Sequence, residues 1–212
     1  MDRTVRVWDS SSVAHEKCLG IGKGHRKEVL CVAWSDDGRR VCSGSMDNNL
    51  LVYEVKSNLD MMGGKQPLEV TTRLRGHKQM VVCCAFSPGT ISSLQVWLCS
   101  GSLDKSVMVW DVESGSLLHK LEHTEKLLGC AFSMCSHFVG AICLDNSVTL
   151  WDVSGDNAEQ VEQHISTASS AVNVMGGAFT EKGELMVLIC RDPDRASVET
   201  TLFLPPPQRK RS

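Results

Sequence analysis

The chain sets a histidine, a serine, an aspartate and an aromatic residue in the same register more than once, and these are the residue types of nucleophilic triads. His25, Ser43, Asp47 and Tyr53 fall in one stretch, and His77, Ser100, Asp104 and Trp110 in a second. A third holds His123, Asp145 and Trp151, with Ala141 in the serine place. In a hydrolase the histidine would take the serine proton while the aspartate oriented the imidazole. A hydrolase needs one such site, whereas here the constellation recurs. That recurrence favours structure over catalysis, so no catalytic residue is expected and the protein is expected not to be an enzyme.

Other chemistry-bearing patterns are weaker. GIGKG around Lys23 and GGKQ around Lys65 lack the G-x-x-x-x-G-K-[ST] spacing of a phosphate loop, and Gln66 follows Lys65 where a Ser or Thr is needed. Cys83 and Cys84 are adjacent and Cys130 and Cys135 are five apart, so neither pair has the C-x-x-C spacing of a zinc site. Cys42 and Cys99 each directly precede a serine of the recurrent set, which argues for packing. No cofactor and no metal are expected, and the ten cysteines are read as reduced, mostly buried small residues.

The elements that carry these residues are repeats. GHRKEVLCVAWSDDGRRVCSGSMDNNLLVYEV from Gly24 recurs from Gly76 as GHKQMVVCCAFSPGTISSLQVWLCSGSLDKSVMVWDV and from Glu122 as EHTEKLLGCAFSMCSHFVGAICLDNSVTLWDV. Nine positions separate His25 from Trp34, His77 from Phe86 and His123 from Phe132. Six separate Asp47 from Tyr53, Asp104 from Trp110, Asp145 from Trp151, and also Asp2 from Trp8, so MDRTVRVWD is the tail of an earlier repeat. Short runs such as VLCVAW and NLLVYEV, broken by SDDG, MDNN and LDKS, read as four strands per copy joined by turns.

This register resembles that of the WD-repeat (WD40) family, whose repeats each build a four-stranded blade around a central channel. The resemblance implies an all-β WD40-repeat β-propeller over residues 1–204. A partial blade spans 1–23, blades span about 24–75, 76–121 and 122–165, and a degenerate blade spans 166–204, followed by a Pro/basic tail at 205–212. It also implies that each Trp or Tyr, Ser, His and Asp set forms a buried hydrogen-bond chain. The third set, lacking its serine, is expected to be the least well stapled. The fourth lacks the chain, with Ser170 in the histidine place. Family propellers commonly have about seven blades, on the order of 300 residues. Three complete blades plus two partial ones therefore imply an incomplete or open ring, which another chain would complete, or which would close if the two ends combined into one blade.

Loop lengths suggest where partners bind. Tyr53 to Gly76 spans 23 positions against 12 from Trp110 to Glu122, and Phe86 to Ser100 spans 14 against 9 from Trp34 to Ser43. The extra residues near Lys56–Gln66 and Gly89–Gln95 fall on one rim and offer Met61, Met62 and Leu94 as apolar contacts. The opposite rim presents Lys27, Met46, Gln79, Leu103 and Glu125 as a second candidate surface.

A net charge of −3 supplies no basic field, so direct nucleic-acid binding is not expected. No run of about 18 apolar residues and no signal-peptide layout is present, which points away from the membrane and toward the cytoplasm, the nucleus or both. The reading is a non-catalytic protein–protein interaction scaffold, a subunit or adaptor of a multiprotein complex. The alternatives are an RNA-associated assembly factor, for which the basic Arg209, Lys210 and Arg211 speak, and a truncated product lacking full scaffold function.

Overall fold

A computed structural model describes residues 2–9, 17–55, 66–88, 95–165, 173–179, 185–190 and 198–203. Its regular elements are all strands. These are β1 (Val5–Asp9), β2 (Lys17–Gly22), β3 (Val29–Trp34), β4 (Arg40–Ser45), β5 (Asn49–Glu54), β6 (Gln66–Arg75), β7 (Val81–Phe86), β8 (Trp97–Ser102) and β9 (Ser106–Asp111). After them come β10 (Leu117–Glu122), β11 (Leu127–Phe132), β12 (Phe138–Cys143), β13 (Ser147–Asp152), β14 (Glu159–Ile165), β15 (Asn173–Phe179), β16 (Leu185–Cys190) and β17 (Val198–Phe203).

β3 to β6, β7 to β10 and β11 to β14 form three antiparallel blades, each in chain order, and β15 to β17 form a three-stranded sheet. β1 pairs with β2, and β2 joins the outer strand β6 in parallel from Gly20–Gln66 to Gly22–Leu68. β7 lies against β3 and β4, β11 against β7 and β8, and β15 against β11 and β12, which is the arc of a β-propeller. The ring is incomplete. β1 and β17 sit in different sheets, so the two ends do not combine into the single shared blade that would close four blades.

Middle strands are buried on both faces, by neighbouring blades or, for β4, by Val5 and Val7 of β1 on its leading side, and their sequences are accordingly apolar or small: RVCSGS, WLCSGS and FVGAIC. Leu50, Val52 and Leu74 of the first blade meet Val81, Leu98 and Trp110 of the second in one core, and Val107, Val109 and Leu121 meet Leu127 and Val139 in the next. Each such side chain contributes roughly 1.5–3 kcal/mol on burial.

Two local devices recur. Pairing between first and second strands is irregular between Val29 and Cys31, Val81 and Cys83, Leu127 and Gly129, and Val174 and Gly176, so β15 begins a fourth copy in the same register. Just past that bulge, Cys31 faces Gly44 and Cys83 faces Gly101, and a Cβ on either glycine would come within 2.6 Å and 2.5 Å of the sulfur. In the third blade the sizes are exchanged, with Gly129 facing Ile142.

The nine described cysteines are free thiols, but they are less buried than the sequence led us to expect. Cys18, Cys42, Cys99 and Cys143 are buried, Cys31, Cys83, Cys84 and Cys130 are half-buried on the innermost strands, and Cys135 is exposed.

Candidate functional site

The first strand of each blade delivers its histidine from the loop before it, the second strand its serine, the turn after that its aspartate, and the third strand its aromatic residue. In the first blade His25 Nε2 lies 2.8 Å from Ser43 Oγ and Nδ1 lies 3.0 Å from Asp47. In the second, His77 Nε2 lies 2.9 Å from Ser100 Oγ and Nδ1 3.0 Å from Asp104, while Trp110 Nε1 donates to Ser100 Oγ at 2.8 Å. With the indole N–H pointed at Ser100, the hydroxyl proton is directed to His77 Nε2 and the ring keeps its own proton on Nδ1, toward Asp104.

Neighbouring backbone completes the two chains. Asp47 accepts the Arg26 N–H at 2.7 Å and Asp104 the Lys78 N–H at 2.8 Å. Burial pulls the Asp104 carboxyl up, but Ser106, the Lys78 N–H and His77 outweigh it and hold it below the ordinary value. Asp47 is held down in the same way by the Arg26 N–H and His25. Burial lowers the His77 imidazole against the pull of Asp104, so the ring is neutral at pH 7. In the first blade Tyr53 replaces the indole. Its hydroxyl lies toward Ser43 yet makes no hydrogen bond, and burial raises its pKa.

The third set is open at two points. With Ala141 in the serine place, His123 Nε2 and Trp151 Nε1 are both buried without a partner, their rings edge to face with centroids 5.8 Å apart. Asp145 accepts from Ser147 Oγ at 2.6 Å, while His123 Nδ1 lies 3.8 Å from Cys143 Sγ. Burial drives His123 from the ordinary 6.5 down to about 4, with Asp145 opposing only weakly.

Ser43 and Ser100 are 0% exposed, so neither hydroxyl faces a space that a substrate could enter. What the arrangement offers chemically is fixed hydrogen bonding. Among the described residues no group of three or more His, Cys, Asp or Glu side chains is placed to hold a metal ion.

Of the candidate partner surfaces, Met61, Met62 and Leu94 lie outside the described residues, as does the tail. Lys27, Met46, Gln79, Leu103 and Glu125 share one rim, with Lys27 and Gln79 exposed and the other three half-buried. The turns that carry Met46 and Leu103 are tied to the loops before the first strands by Met46 N–H to Glu28 O at 2.9 Å and Leu103 N–H to Met80 O at 3.1 Å. Glu125 is paired with Lys105 at 2.7 Å. The third blade repeats the tie with Leu144 N–H to Lys126 O at 2.8 Å, and Leu144 is 47% exposed. Sequence reasoning passed over Leu144, although, like Met46 and Leu103, it directly precedes the turn aspartate. Beside this row a cleft of about 280 Å³ is lined by Lys78, Asp104, Lys105, Lys120, Glu122 and His123, among others.

The model of the "WD domain, G-beta repeat" family matches residues 16–54, 68–111 and 115–152. The chain is 27% identical to the CCR4-associated factor 4 homolog of Candida glabrata over 72% of its own length and 28% of that protein. It is 26% identical to telomerase protein component 1 of Rattus norvegicus over 77% of its own length and 6% of that protein. The chain thus spans well under half of these relatives. Among solved structures, one chain of a mitotic checkpoint complex superposes with a TM-score of 0.72 at 18% identity, covering 96% of this chain and 56% of that one. The C-terminal WD40 domain of Sif2 gives 0.64 at 17%, covering 89% and 49%.

Proposed function

This chain belongs to the WD40 family, and from that premise we propose that it is a non-catalytic platform for protein–protein contacts within a multiprotein complex. The observation that carries this reading is the complete burial of Ser43 and Ser100 inside hydrogen-bond chains repeated from blade to blade. The sets serve as staples that hold each turn against the next loop, and the rim above them is the working surface. There Met46, Leu103 and Leu144 recur one per blade just before the turn aspartates, and Lys27, Lys78, Lys105 and Lys126 lie on the same turns and the loops tied to them. Such a rim suits a partner segment with apolar anchors and acidic flanks. The names of relatives that are parts or associates of complexes fit this reading, as does a place in the cytoplasm or nucleus.

Affinity capture with the wild type and with a Leu103→Asp/Leu144→Asp variant of unchanged melting temperature tests it. Partners that survive ribonuclease and are lost on the variant are the expected result. Partners indifferent to the rim would overturn the rim assignment, and partners lost on ribonuclease treatment would favour the RNA-associated alternative.

A further inference from the structure

The outer strands of the first two blades put different charges in the same two places. In the second blade β10 sets Lys120 opposite Met108 and Glu122 opposite Ser106, and the two side chains close an ion pair at 2.6 Å. In the first blade β6 sets Arg73 opposite Leu51 and Arg75 opposite Asn49. Asn49 and Ser106 hold the same place after the turn aspartates Asp47 and Asp104, so Arg73 corresponds to Lys120 and Arg75 to Glu122. An arginine in the acid's place leaves two like charges side by side. The third blade has Gln163 and Ile165 in this register, so the doubled charge belongs to the first blade.

Two further arginines converge on the same corner. Leu74 is buried against the second blade, so Arg73 and Arg75 project from the opposite face of β6. There Arg73 Nη2 lies 3.3 Å from the position a Cβ would take on Gly24, just ahead of His25. Arg26 and Asn49 both donate backbone N–H groups to Asp47, at 2.7 Å and 3.1 Å, which sets Arg26 beside the Asn49–Arg75 pair. Arg3 Nη1 donates to Arg26 O at 3.3 Å. That bond repeats a latch of the inner joints, where Asn48 Nδ2 donates to Lys78 O at 3.2 Å and Lys105 Nζ to Thr124 O at 2.8 Å, so this corner is built as the later ones are. Arg3, Arg26, Arg73 and Arg75 are all exposed, and none forms an ion pair among the described residues. The acids of the two adjoining turns are engaged elsewhere, Asp2 with Arg6 and Asp47 with His25 and the backbone.

We propose that Arg3, Arg26, Arg73 and Arg75 form a docking site for an acidic segment of a partner protein, whose carboxylates take the place that Glu122 fills in the second blade. A guanidinium presents a fork of N–H donors that matches a carboxylate, and such charge-assisted bonds are stronger than neutral ones. The segments that meet here, Arg3–Thr4, Gly24–Lys27, Asp47–Asn49 and Arg73–Gly76, carry no Trp, Tyr or Phe on which a base could stack, which favours a protein segment over a nucleic acid. The site goes beyond the rim reading: it uses none of Met46, Leu103 and Leu144 and holds whether or not they anchor a partner.

Fluorescence anisotropy of a labelled peptide of about a dozen alternating Asp and Glu residues, at about 50 mM salt where exposed charges are weakly screened, tests the proposal. The peptide has no apolar anchor, so it reports on the arginines and not on the apolar residues of the rim. The wild-type chain is expected to bind it. Arg75→Glu gives Arg73 the partner that Lys120 has in the second blade and should weaken binding by about tenfold or more. Arg73→Gln/Arg75→Gln should weaken it likewise without adding an acid. Both positions are exposed, so neither variant should melt lower than the wild type. Arg39→Glu, the same change of charge on the exposed turn at the other end of the first blade, is the control and should bind as the wild type does. A single-stranded RNA of about twenty nucleotides should bind no tighter than the peptide. No binding by the wild type, equal weakening by Arg39→Glu and Arg75→Glu, or RNA that binds more than about tenfold tighter than the peptide and is lost on Arg75→Glu would each overturn the proposal.

Discussion

At the scale of single residues the three sets form a natural mutant series. The second is complete, the first carries an unbonded Tyr53 hydroxyl, and the third lacks its serine. Ala141→Ser restores an oxygen between Trp151 Nε1 and His123 Nε2 and is expected to stabilise the chain by about 1 kcal/mol. The mirror change, Ser100→Ala, strands His77 Nε2 and Trp110 Nε1 together and should cost about 2 kcal/mol. Urea unfolding of both variants reads the two effects, and a destabilised Ala141→Ser protein would contradict the account. The serine gap was legible in the sequence because register alone locates it. The separation of His123 from Asp145 was not. Ser45 and Ser102 each accept the turn aspartate's N–H at 3.1 Å and donate to the facing loop, a second brace below the main chain of bonds, and Cys143 stands in their place with a poorer hydrogen-bonding group.

The same histidine sets a pH dependence. His123 titrates at about 4 in the folded chain against an ordinary 6.5, so between those values the unfolded chain binds more protons. Stability is therefore full above about pH 6.5 and falls as the pH drops toward 4, by about 2 kcal/mol at pH 5 from this group. Burial of His77 adds in the same direction, whereas Asp47 and Asp104, held below the ordinary carboxyl value, withdraw their contribution only at still lower pH. Denaturation at pH 7.5 and pH 5 should show the loss in wild type and a smaller one in His123→Gln. An equal loss in both would remove His123 from the explanation.

At the scale of elements, what lets one blade lie on the next is the size match just past the bulge. A Cβ on Gly101 would meet Cys83 Sγ at 2.5 Å and Leu127 Cβ at 3.2 Å, so Gly101→Ala should cost about 1–3 kcal/mol. Cys83→Ala in the same chain removes the sulfur and should return part of that loss, about 1 kcal/mol of coupling in a double-mutant cycle. Additive effects would show that the two side chains do not compete for the space. Strand order, turns and the paired faces were readable from apolar runs and turn residues. The Cys31–Gly44 and Cys83–Gly101 pairs, and their exchange to Gly129–Ile142, were not, because a bulge shifts the partner by one residue and periodicity alone does not place it. The left-handed turn residue is a middle case. Arg3, Asn48, Lys105 and Asn146 all have φ between 59° and 69° directly after the turn aspartate, yet only the asparagines announce it in the sequence.

At the scale of the whole molecule, an arc of blades that touch only their neighbours is a one-dimensional array, and its stability is distributed unevenly along the chain. The second blade has the complete hydrogen-bond chain and a full blade on either side. The first leaves Trp34 half-exposed, and the third has two buried polar atoms without partners. Opening should therefore begin at the two outer blades and end at the central one. Native-state hydrogen exchange followed by mass spectrometry is expected to give the longest protection to β8 and β9, with β12 and β13 exchanging sooner. Ala141→Ser should lengthen protection of β12 and β13 while leaving β4 and β5 where they were. Uniform exchange across all three blades would mean that the arc unfolds as one cooperative unit, and that the defects in its first and third staples are too small to divide it.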